Sequence, residues 1–512
     1  MSALKPLKKH AGTALVWMAL AAMLYLVVLL YTVGEGLLAA TLLVLVGLAS
    51  WIYSSDRLQA YRYLFPGIAA ALVFVVFPMV YTIAISFTNY GSTNLLDHER
   101  ARAYLLQETF TRPGDKSYQF ALLQSGQAHQ LRLVDAQDPQ RVWVTPSISL
   151  KAQAQRVDVI EARGEALTQQ ALPIKEVIAN KAGLSALTLV LPDGAAVKQT
   201  SLRTFATQRA RYQLESDGSL RDLAKPDRLL PDWDKGYFVR ESSGEAVQPG
   251  FKVNVGLAHY AQIFTDQKFR EPFIRIFVWT VLFSGLTVFF ATALGLLLAV
   301  LLSWENLRFR KAYQLLLFLP YAVPGFISIL IFKGLFNQNL GEVNMILSHL
   351  FGIRPAWFSD PMLAKTMLLI VNTWLGFPYM MIVCMGMIKS IPADLYEASA
   401  VAGAGPLTNF FSITMPLIVK PLTPLLISSF AFNFNNFVLI TLLTGGRPDF
   451  LDTQVPAGTT DILVSYTFRI AFQDSGQHFG LASAISAVIF LIVATITLVQ
   501  MRFTRVNELQ RR

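Results

Sequence analysis

Cysteine, histidine and charged residues are all scarce in this sequence. The single cysteine, Cys384, has no partner for a disulfide, and we expect it to be a small hydrophobic residue of the core. The six histidines are scattered, with no pair at metal-ligand spacing, so the sequence indicates no metal site. No Gly-Lys dipeptide occurs, which excludes a G-x-x-x-x-G-K-S/T phosphate loop on this chain. Energy from ATP would have to come from another chain.

The apolar residues are gathered in long blocks. The 512 residues are 15% charged and 54% hydrophobic. Blocks long enough to cross about 30 Å of hydrocarbon as helix predict an all-α integral membrane protein. We expect eight spans, near residues 12–33, 36–53, 64–89, 276–303, 312–332, 366–388, 418–443 and 481–500. The first span lacks a small-residue cleavage site and is interpreted as a retained helix, not a signal peptide.

The cores of these spans contain no Asp, Glu, Lys, Arg or His. Ion-coupled carriers commonly hold a coupling charge at that depth, so the absence argues against that class. A sodium site made of carbonyl and hydroxyl oxygens would leave no such mark. A cation-coupled secondary sugar carrier is therefore an open alternative.

Lysine and arginine in the short loops predict the orientation. With the N-terminus inside, fourteen of them fall in cytoplasmic segments and five in the opposite short loops. Both termini are therefore expected in the cytoplasm. This distribution accounts for most of the net charge of +10 without a nucleic-acid partner.

A polar segment separates the third and fourth spans and is too long to be a loop. We expect 1–63 to hold the N-terminal tail and two accessory spans, 64–91 the third span, 92–271 an extracytoplasmic insert, and 272–512 a core of five spans. Alternating runs such as "HQLRLVD" and "ALTLVLPDGAAVKQ" predict a β-rich insert. A spacer domain and a docking surface for another protein are both consistent with its composition.

Spans five, six and seven contain the prolines expected of interrupted helices. Such breaks are tolerated where a helix faces protein or a water-filled cavity, so these spans are expected to line a pathway. Spans one and two are uniformly apolar and are expected to face lipid. The prolines are Pro320, Pro324, Pro378, Pro421 and Pro424.

Span seven contains amides in the stretch "SSFAFNFNNFVLI". Ser429, Phe432, Asn433 and Asn436 stand at i, i+3, i+4 and i+7, which predicts one stripe of a helix. A ring, two amides and a hydroxyl on one face suit a neutral sugar. Hydrogen bonding between helices is the alternative. Asn435 lies off the stripe and is expected to be a structural amide.

Residues 390–416 read "SIPADLYEASAVAGAGPLTNFFSITMP" and predict a short cytoplasmic helix. Pro392 and Asp394 suit a first helical turn, and Gly403 with Gly405 suits its end. The small side chains on one face would allow close approach by a partner. An ordinary helix packed on its own bundle is the alternative.

This segment resembles the EAA loop of the permeases of ATP-binding-cassette (ABC) importers. The family pattern is E-A-A, three residues, G, nine residues and I-x-L-P, and every spacing agrees from Glu397 and Ala398 through Gly403 to residues 413–416. Ser399 replaces the second alanine and Met415 the leucine. The resemblance implies that Glu397, Ala398, Ser399 and Gly403 couple the chain to an ATPase.

Further segments are similar to the larger permeases of maltose importers, the MalF family. They include "LPYAVPGFISILIFKGLFNQ", "PAWFSDP", "VNTWLGFPYMM" and "SFAFNFNNFVLI". The resemblance implies a type I ABC importer permease core with a periplasmic insert. It also implies a second permease of the MalG type, a MalK-type ATPase dimer that binds ATP and magnesium, and a periplasmic maltose-binding protein. No cofactor is expected on this chain.

The same resemblance implies a sugar site. Positions matching two membrane spans contact maltose in that family, and in this sequence they are Leu375, Gly376, Tyr379, Ser429, Phe432, Asn433 and Asn436. The expected function is therefore import of maltose and maltodextrins by a transport subunit that is not itself an enzyme. A permease for another neutral sugar and a membrane-anchored sensor are further alternatives.

Overall fold

The computed structural model describes residues 4–112, 114–126, 128–162, 169–304, 307–473 and 477–503. It contains two compact units. One unit comprises Met1–Ser92 and Asn254–Arg512, and we call it the membrane unit. The other, Thr93–Val253, is called the insert. Residues 254–271, which the sequence analysis placed in the insert, belong to the membrane unit.

Helices dominate the membrane unit, whereas the described residues of the insert contain three short ones. In chain order they are α1 Leu4–Thr32, α2 Gly36–Ser54, α3 Gln59–Ala71, α4 Phe77–Ser86, α5 His98–Gln107, α6 Ile174–Ala179, α7 Lys181–Ala186, α8 Ala258–Thr265, α9 Gln267–Ser303, α10 Arg310–Phe318, α11 Gly325–Leu335, α12 Glu342–Phe351, α13 Pro361–Lys389, α14 Ala393–Val401, α15 Pro406–Asn409, α16 Met415–Phe434, α17 Phe437–Leu443, α18 Leu463–Phe472 and α19 Phe479–Phe503. Short 3-10 turns occupy Asp56–Leu58 and Leu319–Ala322, and π-turns occupy Leu72–Val76 and Phe410–Thr414.

Six helices in the described part of the chain are long and apolar enough to cross a membrane, or seven if one bent pair counts as a span. The bent pair is Arg310–Ala322 with Gly325–Leu335, which meet at 91°. The prediction of eight spans is therefore supported only as six to seven. Of the predicted first span, the described apolar part is Trp17–Thr32, which is shorter than the others.

Two predicted continuous spans are interrupted. The fifth bends where Val323 adopts an extended backbone before Pro324, because a residue preceding proline is disfavoured in helical conformation. In the seventh, α16 ends at Phe434 and α17 starts at Phe437. The prediction of one helix through 418–443 was therefore wrong at Asn435 and Asn436.

Small residues allow α9 and α13 to pack closely. A Cβ atom on Gly295 would lie 2.7 Å from the Cβ of Met380 and 2.8 Å from the backbone nitrogen of Met381. One and two turns further along α9, Ala299 and Leu302 pack with Met381 and the fully buried Cys384. The prediction that Cys384 is a core residue is confirmed.

The insert is β-rich, as predicted. Its strands are β1 Thr109–Phe110, β2 Ser117–Ser125, β3 Ala128–Asp135, β4 Val142–Val144, β5 Gln155–Asp158, β6 Ile160–Glu161, β7 Leu187–Val190, β8 Ala196–Gln199, β9 Thr204–Ala206, β10 Arg209–Ala210, β11 Tyr212–Leu214, β12 Leu220–Asp222, β13 Asp227–Asp232, β14 Tyr237–Arg240 and β15 Ala246–Val247. They form sheets of order β1-β10, β11-β12-β13-β14-β15 and β5-β7-β8-β9-β2-β3-β4-β6.

Alternation along the long hairpin of the insert determines which face is buried. Tyr118, Phe120 and Leu122 of β2 point into the core opposite Leu131 and Leu133 of β3. The β5–β7 pair is parallel, and the other pairs in this sheet are antiparallel. The insert therefore has its own hydrophobic core.

Candidate functional site

Helices α9, α13, α16 and α17 and the bend between α10 and α11 surround a cavity of about 760 Å³ in the membrane unit. We call it the central cavity. All seven residues of the expected sugar site lie on its wall: Leu375, Gly376, Tyr379, Ser429, Phe432, Asn433 and Asn436. The sequence-based set is therefore gathered in one place, although the break after Phe434 separates Asn436 from the helix of Ser429, Phe432 and Asn433.

A chain of amides connects three helices at the wall. The Asn372 side chain on α13 donates to the Asn433 Oδ1 atom on α16 at 2.7 Å. It also donates to the Thr287 hydroxyl of α9 at 3.2 Å. Asn372 and Asn433 are only 5% and 8% exposed, so both amides need the partners they have. The amides therefore fix the relative positions of these helices.

Asn433 combines the two roles that the sequence left as alternatives. Its Oδ1 accepts from Asn372, and its Nδ2 donates to the Ser429 carbonyl at 2.8 Å. Hydrogen bonding between helices is thus present, and the same residue lines the cavity. Asn433 therefore connects two helices of the wall and also lines the central cavity.

Asn436 does not belong to a continuous stripe with the others. It follows the end of α16, and its side chain accepts a hydrogen bond from the Leu439 backbone as the N-cap of α17. Its Nδ2 lies 3.4 Å from the Asn372 Oδ1 atom. Asn435, predicted to lie off the stripe, is absent from the cavity wall and donates to the Ala431 carbonyl at 3.3 Å.

Aromatic rings form the more accessible part of the wall. Phe432 is 70% exposed and Tyr379 is 41% exposed. Tyr321 and Phe326 approach from the two sides of the bend between α10 and α11. None of the described lining residues is charged. The cavity therefore offers apolar ring faces with neutral hydrogen-bonding groups, a combination suited to a neutral polyhydroxyl ligand.

Sequence reasoning missed Asn372 and Thr287. Asn372 stands three, four and seven residues before Leu375, Gly376 and Tyr379, so the helical spacing used for span seven would have found it. Thr287 carries no comparable signal, because a threonine in a membrane helix commonly bonds its own backbone. Its role emerges only from the packing of α9 on α13.

The predicted coupling helix is present as α14, Ala393–Val401. Glu397 and Ala398 are exposed, whereas Ser399 is half-buried. Gly403 has φ +77°, and the amides of Gly403 and Ala404 donate to the carbonyls of Ala400 and Ser399. This is a Schellman ending, which explains physically why glycine is needed at this position.

The surface around α14 is apolar and uncovered in the isolated chain. Val401 is 91% exposed, and Leu407 and Phe411 are also largely exposed. Such projecting side chains next to a helix without buried residues are typical of a surface completed by another protein.

Similarity to known proteins covers almost the whole chain. A maltose/maltodextrin transport system permease protein MalF of Vibrio parahaemolyticus is 49% identical over 495 residues, covering 94% of this chain and 93% of that protein. The chain belongs to the MalF family. The MalF of Escherichia coli K12 is 48% identical over 489 residues and covers 94% of each chain.

Family models match both units. Residues 96–256 match the P2 domain of the maltose transport system permease protein MalF, and these bounds nearly coincide with the insert. Residues 291–508 match the inner membrane component of binding-protein-dependent transport systems. The central cavity and α14 thus belong to the permease part of a MalF chain.

Among solved structures, a bacterial ABC transporter that imports the acidic polysaccharide alginate has a chain 25% identical to this one. The match covers 49% of this chain and 83% of that chain, with a TM-score of 0.43.

Proposed function

We propose that this chain is the membrane permease subunit of an ATP-driven importer of maltose and maltodextrins. The observation that carries the proposal is the central cavity, whose described wall combines accessible rings, amides and hydroxyls without charge. Relatives named for maltose/maltodextrin transport, at 48–49% identity over 94% of the chain, support the sugar class.

The wall suggests how a sugar is held. Phe432 and Tyr379 provide faces for the apolar side of a pyranose ring, and Asn436 and Ser429 provide hydrogen-bonding groups beside them. Gly376 allows α13 to lie close to α9 at the wall, since a Cβ atom at this position would lie 3.2 Å from the Cβ atom of Ala291. Leu375 adds apolar contact, and Asn433 holds the helix that presents Phe432.

The partners are proposed from the same family relationship. A second permease of the MalG type would complete the pathway, and a MalK-type ATPase dimer would bind ATP and magnesium. A periplasmic maltose-binding protein would deliver the sugar, and the insert would help to hold that protein. Glu397 and Ala398 are exposed on α14, as docking to the ATPase requires, while Gly403 ends that helix and Ser399 contacts the chain behind it.

The proposed location is the bacterial inner membrane, with both termini in the cytoplasm and the insert in the periplasm. Eight spans would result if the bent pair and α1 each cross the bilayer. The loop distribution of lysine and arginine supports this orientation.

The proposed mechanism uses two conformations of the membrane unit. The loaded binding protein and ATP favour the state open to the periplasm, and ATP hydrolysis restores the state open to the cytoplasm. Sugar enters the central cavity in the first state and leaves in the second. No covalent chemistry takes place on this chain.

Uptake in proteoliposomes tests the function. The chain would be purified with its native partners, reconstituted with ATP inside, and supplied with radiolabelled maltose on its loaded binding protein. We expect accumulation that requires ATP and is reduced by unlabelled maltodextrins more than by trehalose. Uptake by the chain alone, abolished by collapsing an ion gradient, would instead support a cation-coupled carrier.

Replacing Glu397 tests the coupling role. Glu397→Lys reverses the charge of an exposed side chain on α14 without touching the central cavity. We expect loss of the ATPase on purification or loss of ATP-dependent uptake, whereas Glu397→Gln should retain more of both. Full coupling in the lysine variant would contradict the docking role.

A further inference from the structure

The attachment of α14 to the rest of the chain has an unusual basis. None of its nine residues is buried, so a packed hydrophobic face does not hold it in place. Instead, two side-chain hydrogen bonds join it to the segment that follows. The Tyr396 hydroxyl lies 2.9 Å from the Thr414 hydroxyl. The Ser399 hydroxyl donates to the Asn409 side-chain oxygen.

Both bonds end on a π-turn. The turn spans Phe410–Thr414, directly between α15 and α16, and Asn409 and Thr414 stand at its two ends. The Thr414 hydroxyl is also 3.3 Å from the Asn409 carbonyl, across the turn. Thr414 is only 6% exposed, so water competes little for these bonds.

A proline lies two residues after this π-turn. Pro416 has no amide hydrogen, and in an α-helix its ring would collide with the carbonyl four residues earlier, at Ser412. The wider turn removes that collision. The same arrangement recurs in the third predicted span, where the π-turn Leu72–Val76 precedes Pro78. A π-turn is a weak point of a helix and a frequent functional site.

Beyond the turn, α16 continues to the central cavity as one helix, although it contains Pro421 and Pro424. Its 20 residues reach from Met415 to Phe434, a distance of roughly 30 Å. Its far end carries Ser429, Phe432 and Asn433 on the cavity wall. A displacement of Thr414 is therefore carried along one helix to the residues proposed to hold sugar.

We propose that the Tyr396–Thr414 and Ser399–Asn409 bonds form a latch that transfers movement of α14 to α16 across the π-turn. The inference rests on the proposed docking of α14 to the ATPase. It also gives Ser399 a role of its own, because the alanine usual at this position of the EAA pattern has no hydroxyl to donate. Tyr396, Ser399, Asn409 and Thr414 are thus positioning residues.

The latch is tested by the number of ATP molecules hydrolysed per sugar imported. Tyr396→Phe, Thr414→Val and Ser399→Ala would each be purified as the complete complex and reconstituted with loaded binding protein. We expect the ATPase to remain bound and active, while uptake falls about fivefold for the loss of one net hydrogen bond. The ratio of ATP to sugar should rise accordingly.

Two variants act as controls. Thr414→Ser keeps the hydroxyl and should restore the wild-type ratio. Thr423→Val removes a hydroxyl of α16 that bonds only to the Val419 carbonyl of its own helix, and its ratio should not change. The double variant Tyr396→Phe with Thr414→Val should be no worse than Thr414→Val alone, because the bond that Tyr396→Phe removes is already absent there. A wild-type ratio of ATP to sugar in both Tyr396→Phe and Thr414→Val would overturn the latch. An equal rise of this ratio in Thr423→Val would also overturn it.

Hydrogen exchange separates the latch from the identity of the sugar. In the wild-type complex, a non-hydrolysable ATP analogue should change the exchange of peptides covering 410–434, and in Thr414→Val this response should be lost. This readout needs no sugar. If the wild-type complex imports no maltose yet shows the response, and Thr414→Val loses it, the proposed substrate fails and the latch stands. If Thr414→Val responds like the wild type, the latch fails whatever the substrate.

Discussion

In the insert, the buried carboxylate of Asp222 accepts a hydrogen bond from the Arg240 guanidinium at 3.1 Å, whereas buried polar groups at the central cavity are neutral amides and hydroxyls. The insert is a folded β unit in which ion pairs are common. A charge within hydrocarbon is far more expensive than an amide with partners. The overall charged fraction of 15% thus averages two differently built regions.

A buried ion-pair group in the membrane unit marks the limit of this contrast. Arg469 on α18 binds Asp461 and Asp449, each at 2.7 Å. Asp449 and Asp461 belong to the segment that connects α17 with α18, outside the six long apolar helices. Whether a buried polar group is charged or neutral therefore follows from the depth in the membrane at which it is expected to lie. Exchanging a neutral amide for a charged or apolar side chain tests this relation.

The largest effect is expected from a charge placed at the cavity wall. Asn433→Asp keeps the side-chain shape but replaces the group that donates to the Ser429 carbonyl with a carboxylate oxygen. With a penalty of about 3 kcal/mol for a charge at membrane depth, we expect uptake to fall about 100-fold. Initial uptake rates, normalised to purified complex, would measure it. Asn433→Ala should be less harmful, and an active aspartate variant would contradict the need for neutrality.

A smaller effect is expected from removing the amide that connects three helices. Asn372→Leu leaves the buried Asn433 Oδ1 atom without its partner, which costs about 1–3 kcal/mol. We expect uptake to fall about tenfold. The matched control is Asn435→Leu, on an exposed amide outside the cavity, with less than a twofold change expected. Equal losses in both variants would remove the distinction between the two amides.

Loss of an exposed ring should have a moderate effect on sugar affinity. Phe432→Ala removes the most exposed aromatic group of those named on the wall, while leaving the amides in place. The sugar concentration for half-maximal uptake should rise about fivefold, the value of one aromatic contact. Phe432→Tyr should behave nearly as the wild type. An unchanged half-maximal concentration in the alanine variant would exclude the ring as a sugar contact.

The smallest effect concerns the charges of the insert. Hydrogen bonds from the Ser242 hydroxyl and the Arg228 amide lower the pKa of Asp227, and those from Ser219 lower the pKa of Asp217. Because the folded pKa lies below the unfolded one, each carboxylate stabilises the insert above the unfolded pKa of about 4. This stabilisation is lost as the pH falls through the folded pKa.

Hydrogen exchange of the intact chain would measure this pH dependence. Peptides from 212–247 should lose protection at acidic pH, and Ser242→Ala should weaken the dependence. Peptides lining the uncharged cavity should show no comparable change. A parallel acid transition in both regions would contradict the contrast between them.

Much of the cavity was predictable because helical spacing is a local property. The stretch Ser429–Asn436 and the prolines of spans five to seven were sufficient to predict three of the spans that line the cavity. Asn372 was missed although its spacing to Tyr379 carried the same information. The break at Asn435 and Asn436 could not be read from the sequence, because an asparagine cap resembles an asparagine within a helix until the packing is known.

The insert was predictable only at the level of its strands. The run "HQLRLVD" falls in β3, and "ALTLVLPDGAAVKQ" contains β7 and β8, as alternation suggested. The strand order and the parallel β5–β7 pair were not predicted. That pairing joins segments about 30 residues apart, and local patterning does not specify partners at such a distance.

The neutral wall of the central cavity also has an electrical consequence. A transmembrane potential of 100 mV does about 2.3 kcal/mol of work on an elementary charge that crosses the membrane. It does no work on an uncharged sugar that passes uncharged side chains. Translocation through this cavity should therefore carry no current. A potassium diffusion potential of either sign, imposed with valinomycin, should leave the uptake rate unchanged.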